Sequence, residues 1–269
     1  MPDKMRVYLI ISLAFISFLH SYCKERDTIL FINGSKVEIK YPTHEVIGNI
    51  LVLPGCNFSQ DDICVKTSFC KIASDKGYIL VMPDMQKSIY HTSKFKETRT
   101  DWLKYHTVNW LTDTVFPILQ SRFNLLKTDL PNYLFGISTG GRGVAVMACH
   151  TGTLFKAGAS LSGDYDPTLC VNDNLMRGYL GEYIDFPERW KGIDNPTNNA
   201  DKIMIPLYLA HGKEDKVVSP DQTITFYNRL QKIHPSTEYK LNVVEKAGHD
   251  YTFWESQYAA IFQFFQKYK

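Results

Sequence analysis

Asn132–Gly143 reads NYLFGISTGGRG, and the small-residue run Gly143–His150 (GVAVMACH) continues from it. Asn132–Phe135 is a short apolar run of the kind that suits a strand buried on both faces. Gly143–His150 predicts a helix, and between the two lies Gly136-Ile137-Ser138-Thr139-Gly140. A serine flanked by glycines between strand and helix predicts a tight, strained turn, because only residues without Cβ let strand and helix pack that close. Outward from this centre the same alternation repeats. Asn49–Leu53, Tyr78–Met82, Ala157–Leu161, Ile205–Ala210 and Glu238–Val244 read as strands. Asp61–Lys76, Tyr105–Phe123 with a kink at Pro117, Pro220–Ile233 and Tyr251–Tyr268 read as helices. Thr28–Asn33 and Lys36–Tyr41, around Gly34-Ser35, read as a hairpin. A hairpin followed by alternating strands and helices predicts an α/β fold, with a mostly parallel central sheet of about eight strands flanked by helices.

The turn at Ser138 matches the G-x-S-x-G pattern that lifts a nucleophile clear at the carboxyl ends of the strands. A serine hydroxyl needs a base, and that base needs a carboxylate to fix its tautomer. His249 follows the last strand in Ala247-Gly248-His249-Asp250, and Asp215 follows the preceding strand in His211-Gly212-Lys213-Glu214-Asp215. Ser138, Asp215 and His249 thus come in the chain order this fold requires, each after a different strand. Asp164, after Ala157–Leu161, is the rival for the acid. The amides of Thr139 and Cys56, with Asn57 second, are the candidate oxyanion donors. His91 and His106 lie in or near a long polar loop after Met82 and are candidates for substrate contact; His211 and His150 have structural explanations. Tyr165, Trp190 and Trp254 are the candidate substrate-binding residues. The rings of the stretch 164–200 either line a pocket or build a small core of their own.

Four stretches resemble the esterases related to esterase D, which include S-formylglutathione hydrolases and feruloyl-esterase-like enzymes: Leu53-Pro54-Gly55, Phe135–Gly143 with Ala159–Gly163, His211–Val217 and Gly248–Trp254. The resemblance runs from about Asn49 to the C-terminus. It implies an α/β-hydrolase that cleaves carboxylic esters without a cofactor, with Ser138, Asp215 and His249 in the catalytic roles. Two positions depart from it. Thr139 stands where methionine is common, and Pro54 stands where many relatives carry histidine. Acyl transfer on the same triad and a non-catalytic binding scaffold are the alternatives. A peptidase is the weaker enzyme reading, since no propeller or other gating domain is seen.

Of the 269 residues, 44% are hydrophobic and 22% charged, which suits a globular protein, and a net charge of +2 without basic runs gives nucleic-acid binding no electrostatic support. The expected partner is a small-molecule ester, with any membrane attachment through the N-terminus only. Nothing in the sequence calls for a metal or an organic cofactor. Lys4 and Arg6 precede the uncharged run Val7–Leu19, a pattern that predicts a signal peptide over 1–23 and an exported protein that is periplasmic, envelope-attached or extracellular. Cys23 is either removed with the leader or lipidated, and the bulky Tyr22 counts against lipidation. Residues 24–269 then form one hydrolase domain with a cap-like insertion at about 164–200. On one continuous helix Cys64 and Cys70 stand too far apart to bridge; they pair only if a helix starts near Thr67 or Ser68.

Overall fold

The computed structural model describes residues 27–269, so the leader and Cys23 lie outside the described residues. Strands β1 (Thr28–Ile32), β2 (Ser35–Lys40), β3 (Gly48–Leu53), β4 (Tyr78–Pro83), β5 (Asn132–Ile137), β6 (Ala157–Leu161), β7 (Leu207–Gly212) and β8 (Tyr239–Val244) form one eight-stranded sheet in the order β1-β2-β4-β3-β5-β6-β7-β8. The pairings β1–β2 and β2–β4 are antiparallel and the rest parallel. The hairpin turns through Asn33 (φ 51°) and Gly34 (φ 81°), one residue earlier than the sequence suggests. Two consecutive positive φ values match the twist of the flanking strands. The chain leaves β3 toward β4 on one side and returns to β5 on the other. This reversal opens a crevice at the carboxyl ends of β3 and β5, the usual place for a ligand in an open α/β sheet.

The helices are α1 (Asp62–Lys66), α2 (Phe69–Asp75), α3 (Val108–Trp110), α4 (Phe116–Arg122), α5 (Thr139–His150), α6 (Asn174–Leu180), α7 (Pro187–Lys191), α8 (Asp221–Ile233), α9 (Tyr251–Ser256) and α10 (Tyr258–Gln266). Alternate strand residues feed two cores. Leu51, Leu53, Val81, Leu134 and Leu209 pack with α4, α5 and α8. Ile50, Val52, Leu80, Phe135 and Tyr208 pack with α2, α9 and α10. The period of two, buried on both faces, explains why β3, β4 and β5 read as unbroken apolar runs.

Three expected helices are irregular. The stretch 105–123 does not simply kink at Pro117: a wide π turn over Leu111–Val115 separates α3 from α4, and Pro117 sits in the first turn of α4. The backbone stays helical throughout, and the wide turn lies just before Pro117, which offers no N–H to the preceding turn. The closing helix divides at Gln257. The stretch 61–76 divides at Thr67, which is extended (φ −143°, ψ 173°). The carboxylate of Glu255 receives the Ser68 N–H at 2.9 Å. This break brings the Cα atoms of Cys64 and Cys70 to 5.0 Å and the two are disulfide-bonded, the pairing that a helix start near Ser68 permits.

The disulfide closes a short loop, for which chain entropy predicts about 2 kcal/mol of stabilisation. The double variant Cys64→Ser/Cys70→Ser should therefore lose about 2 kcal/mol in urea unfolding. An unchanged midpoint would mean that Glu255 and the buried Phe69 hold the break without it.

Candidate active site

Ser138 directly follows β5 with φ 57° and ψ −128°, a conformation that costs a non-glycine residue about 1–3 kcal/mol. Its neighbours allow no alternative. A Cβ on Gly136 would lie 2.1 Å from the Gly140 carbonyl oxygen, and one on Gly140 would lie 2.0 Å from that of Leu53. The Ser138 N–H donates to Leu161 O (2.9 Å), and its carbonyl accepts from Gly141 N (2.8 Å). These bonds clamp the turn from both sides.

His249 Nε2 lies 3.0 Å from Ser138 Oγ, and His249 Nδ1 lies 2.6 Å from Asp215 Oδ2. Asp250 caps α9 by accepting the Phe253 N–H at 2.8 Å, which fixes the backbone just after His249. Trp254 is buried, meets the imidazole edge-on at 5.2 Å, and donates its indole N–H to Ser162 Oγ at 3.1 Å. Asp215 Oδ1 accepts the N–H groups of Val217 (2.8 Å) and Val218 (2.9 Å). His211 places Nε2 3.1 Å from Asp215 Oδ2 and 3.0 Å from Val218 O, while its Nδ1 lies 2.6 Å from Thr223 Oγ1. Burial alone would raise the Asp215 carboxyl, but hydrogen bonds from His211, His249 and the Val218 amide outweigh it and hold the group well below the usual carboxylate range. His211 therefore does more than start a turn: it contacts the Asp215 carboxylate.

Cys56 and Thr139 line the same cavity as Ser138 and His249. The Thr139 N–H is at the first position of α5, where no intrahelical partner exists. The Asn57 amide is already bonded to Gln86 O at 2.6 Å, which leaves Cys56 as the open donor of the pair weighed from sequence. The loop is held from behind. Tyr90, fully buried, donates its hydroxyl to Pro54 O at 2.7 Å. Its ring lies where a Cβ on Gly143 would come within 2.8 Å. Nothing in the residue pattern singles out Tyr90 for this role.

The cavity beside Ser138 measures about 470 Å³. Its apolar wall is Leu169, Leu175, Met176 and Val217, with Phe58 at one side. None of the three expected contacts lines the cavity: Trp254 is buried beside His249, and the other two lie deeper. Tyr165 is buried, stacked on Phe226 at 4.3 Å and hydrogen-bonded to Ser160. Trp190 is buried, with its indole N–H on Gly181 O at 3.1 Å. Neither lines the cavity, because each ring finds apolar neighbours, and each polar tip a partner, inside the protein. Trp190 belongs to a satellite core with Ile89, Trp102, Met176, Tyr179 and Leu180, so most rings of the stretch 164–200 pack against one another and against the loop after β4. His91 is buried beside Tyr179, and burial pushes its imidazole down to about 3. His106 stacks on Trp110 and contacts Ser35. Neither faces the cavity.

Asp164 does not hold the imidazole, whose Nδ1 is taken by Asp215. It lines the cavity instead, 6% exposed, with Oδ1 receiving no hydrogen bond. Burial pushes its carboxyl up to about 6, against the opposing pull of Arg142 and a smaller one from His249, with Asp173 adding to the rise. Arg142 is wholly buried on α5 and donates to the carbonyls of Ile89, Asp164 and Asp194.

The profile of the prolyl oligopeptidase family matches residues 66–269. No curated protein matches the chain by sequence. Among solved structures, an S-formylglutathione hydrolase from Agrobacterium tumefaciens superposes with a TM-score of 0.67 at 14% identity, over 88% of this chain and 92% of that one. The fluorophosphonate-binding serine hydrolase F of Staphylococcus aureus gives 0.69 at 17% identity, over 88% and 96%. An acylaminoacyl peptidase from Pyrococcus horikoshii gives 0.68 at 17% identity, over 90% of this chain but 41% of that one. These likenesses establish the α/β-hydrolase fold.

The environment of Asp164 has a measurable cost. Its carboxyl is raised from 3.8 to about 6 in the folded state, so the folded protein binds that proton more tightly than the unfolded chain. Stability is then greatest below the unfolded value and declines as pH rises through about 6, by about 3 kcal/mol in all. Asp164→Asn lacks this dependence. Urea unfolding of the two proteins should show the variant gaining about 3 kcal/mol on wild type between about pH 3.5 and about pH 7.5. A constant difference would mean that the carboxylate finds a partner or solvent.

Proposed function

The chain belongs to the prolyl oligopeptidase family of serine hydrolases, and from that premise we propose that it hydrolyses small carboxylic esters through Ser138, His249 and Asp215. The observation that carries the reading is the continuous hydrogen-bonded chain from Ser138 through His249 to Asp215, opening on an apolar-walled cavity. His249 Nε2 takes the hydroxyl proton as Ser138 Oγ attacks the ester carbonyl. Asp215, ionised and anchored by two amides and His211, holds Nδ1 protonated and stabilises the imidazolium. The oxyanion lies between the amides of Thr139 and Cys56, donors that each contribute about 3–4 kcal/mol in sites of this kind. His249 then gives its proton to the leaving alcohol, and water, activated by the same base, releases the acyl group from Ser138.

A second reading has a specific observation behind it. The matched family and the likeness to an acylaminoacyl peptidase favour amide cleavage at the same serine. The two readings share every step but the leaving group. We also place the protein outside the cytoplasm, on the leader-like start of the chain and the Cys64–Cys70 disulfide.

The test is fluorophosphonate labelling of the protein, followed by turnover of short-chain, aryl and feruloyl esters beside aminoacyl and acylaminoacyl amides. Wild type should label and cleave esters. Ser138→Ala should not label, and Asp215→Asn should lose about 10⁴-fold in kcat. Faster cleavage of the amides would move the assignment to a peptidase. A wild type that neither labels nor cleaves any substrate would make the chain a binding scaffold.

A further inference from the structure

The lining of the cavity is charged in one sense. Asp164, Asp173 and Asp221 contribute to it, and no lysine or arginine among the described residues does. Asp173 has work elsewhere, since its Oδ1 caps α6 by accepting the Met176 N–H at 2.8 Å. Asp164 has none. It is more than nine-tenths buried and its Oδ1 accepts nothing. Arg142, the buried cation that acts on it, is shared with a second buried carboxylate, Asp194, and directs its hydrogen bonds to three carbonyls. One guanidinium thus stands against two carboxylates, leaving the group net negative when both are ionised. A buried carboxylate with an idle oxygen is expensive to maintain unless a ligand completes it.

We propose that Asp164 is a specificity-determining residue that seats a cationic nitrogen on the acyl portion of the substrate. The substrate class is a carboxylic ester whose acyl chain ends in a protonated or quaternary amine. The acyl portion is assigned to this half-open cavity, because it stays bound through deacylation while the alcohol must leave and water enter. Leu169, Leu175, Met176 and Val217 take the methylenes between carbonyl and nitrogen. A cation placed against a desolvated carboxylate gains more than it would in water. The proposal rests on the hydrolase reading, and its test separates the two.

The probes are p-nitrophenyl 4-(trimethylammonio)butanoate and its uncharged isostere p-nitrophenyl 5,5-dimethylhexanoate. Wild type should favour the cationic ester by about tenfold in kcat/KM. Asp164→Asn should bring the ratio near unity, and Asp164→Glu, which keeps the charge, should retain most of it. Turnover of both esters with no cationic preference, or a preference that survives in Asp164→Asn, overturns the proposal and leaves the hydrolase standing. Calorimetry of butyltrimethylammonium with Ser138→Ala reads the cation site without chemistry. Saturable binding weakened about tenfold by Asp164→Asn supports the site even if no ester is cleaved; binding that is absent or indifferent to Asp164 overturns it.

Discussion

The backbone of α5 approaches the ends of β3 and β5 so closely that two of the contact positions admit no side chain at all. Gly136 and Gly140 face carbonyl oxygens at about the distance of a covalent neighbour once a Cβ is imagined on them. With both strand ends fixed, the residue between them has only a left-handed conformation left, and Ser138 occupies it. The hydroxyl is exposed to the cavity because the main chain cannot turn any other way. The same proximity brings the loop after β3 over the serine, so that nucleophile and candidate oxyanion donors are positioned by one packing event. Tyr90, wedged against Gly143 and bonded to Pro54, fixes that loop from the far side.

Two buried carboxylates stand near one imidazole, and the number of donors that reach each sets them apart. Asp215 has two backbone amides and two histidine nitrogens, which outweigh its burial. Asp164 has burial, one distributed countercharge and a single backbone hydrogen bond from its own residue, and its proton is held more tightly as a result. Residue type and position after a strand are the same for both, so neither distinguishes them; only the local supply of N–H groups does.

That difference explains what could be read from the chain alone. Ser138, Asp215 and His249 are legible because each follows an apolar run that ends at the same edge of the sheet, and the glycines around Ser138 announce a turn without Cβ. The split of 61–76 is half legible: the cysteine spacing states the condition for a bridge, but the extended Thr67 depends on Glu255, which lies far away in sequence. The wall of the cavity is not legible. Pro167–Cys170 is a single 3₁₀ turn and α6 is short, so no periodicity marks which side chains point inward. Aromatic character left open whether Tyr165 and Trp190 line a pocket or build a core, and their placement as substrate contacts does not match where they lie. Arg142 is hidden among glycines, and its role depends on carbonyls contributed by three separate segments.

β8 lies at the edge of the sheet and most of its residues are only half buried, whereas β5 is central and wholly buried. Ser138 therefore follows a wholly buried central strand, and His249 follows the least protected of the parallel ones. Local opening of an edge element requires far less free energy than global unfolding. Fraying of β8 would carry His249 away from a serine elbow that remains intact, giving a molecule that is spectroscopically folded and chemically silent, and that recovers when the edge re-forms. On the proposed triad, the thermal ceiling on turnover follows the tightness of one edge strand rather than the melting of the core.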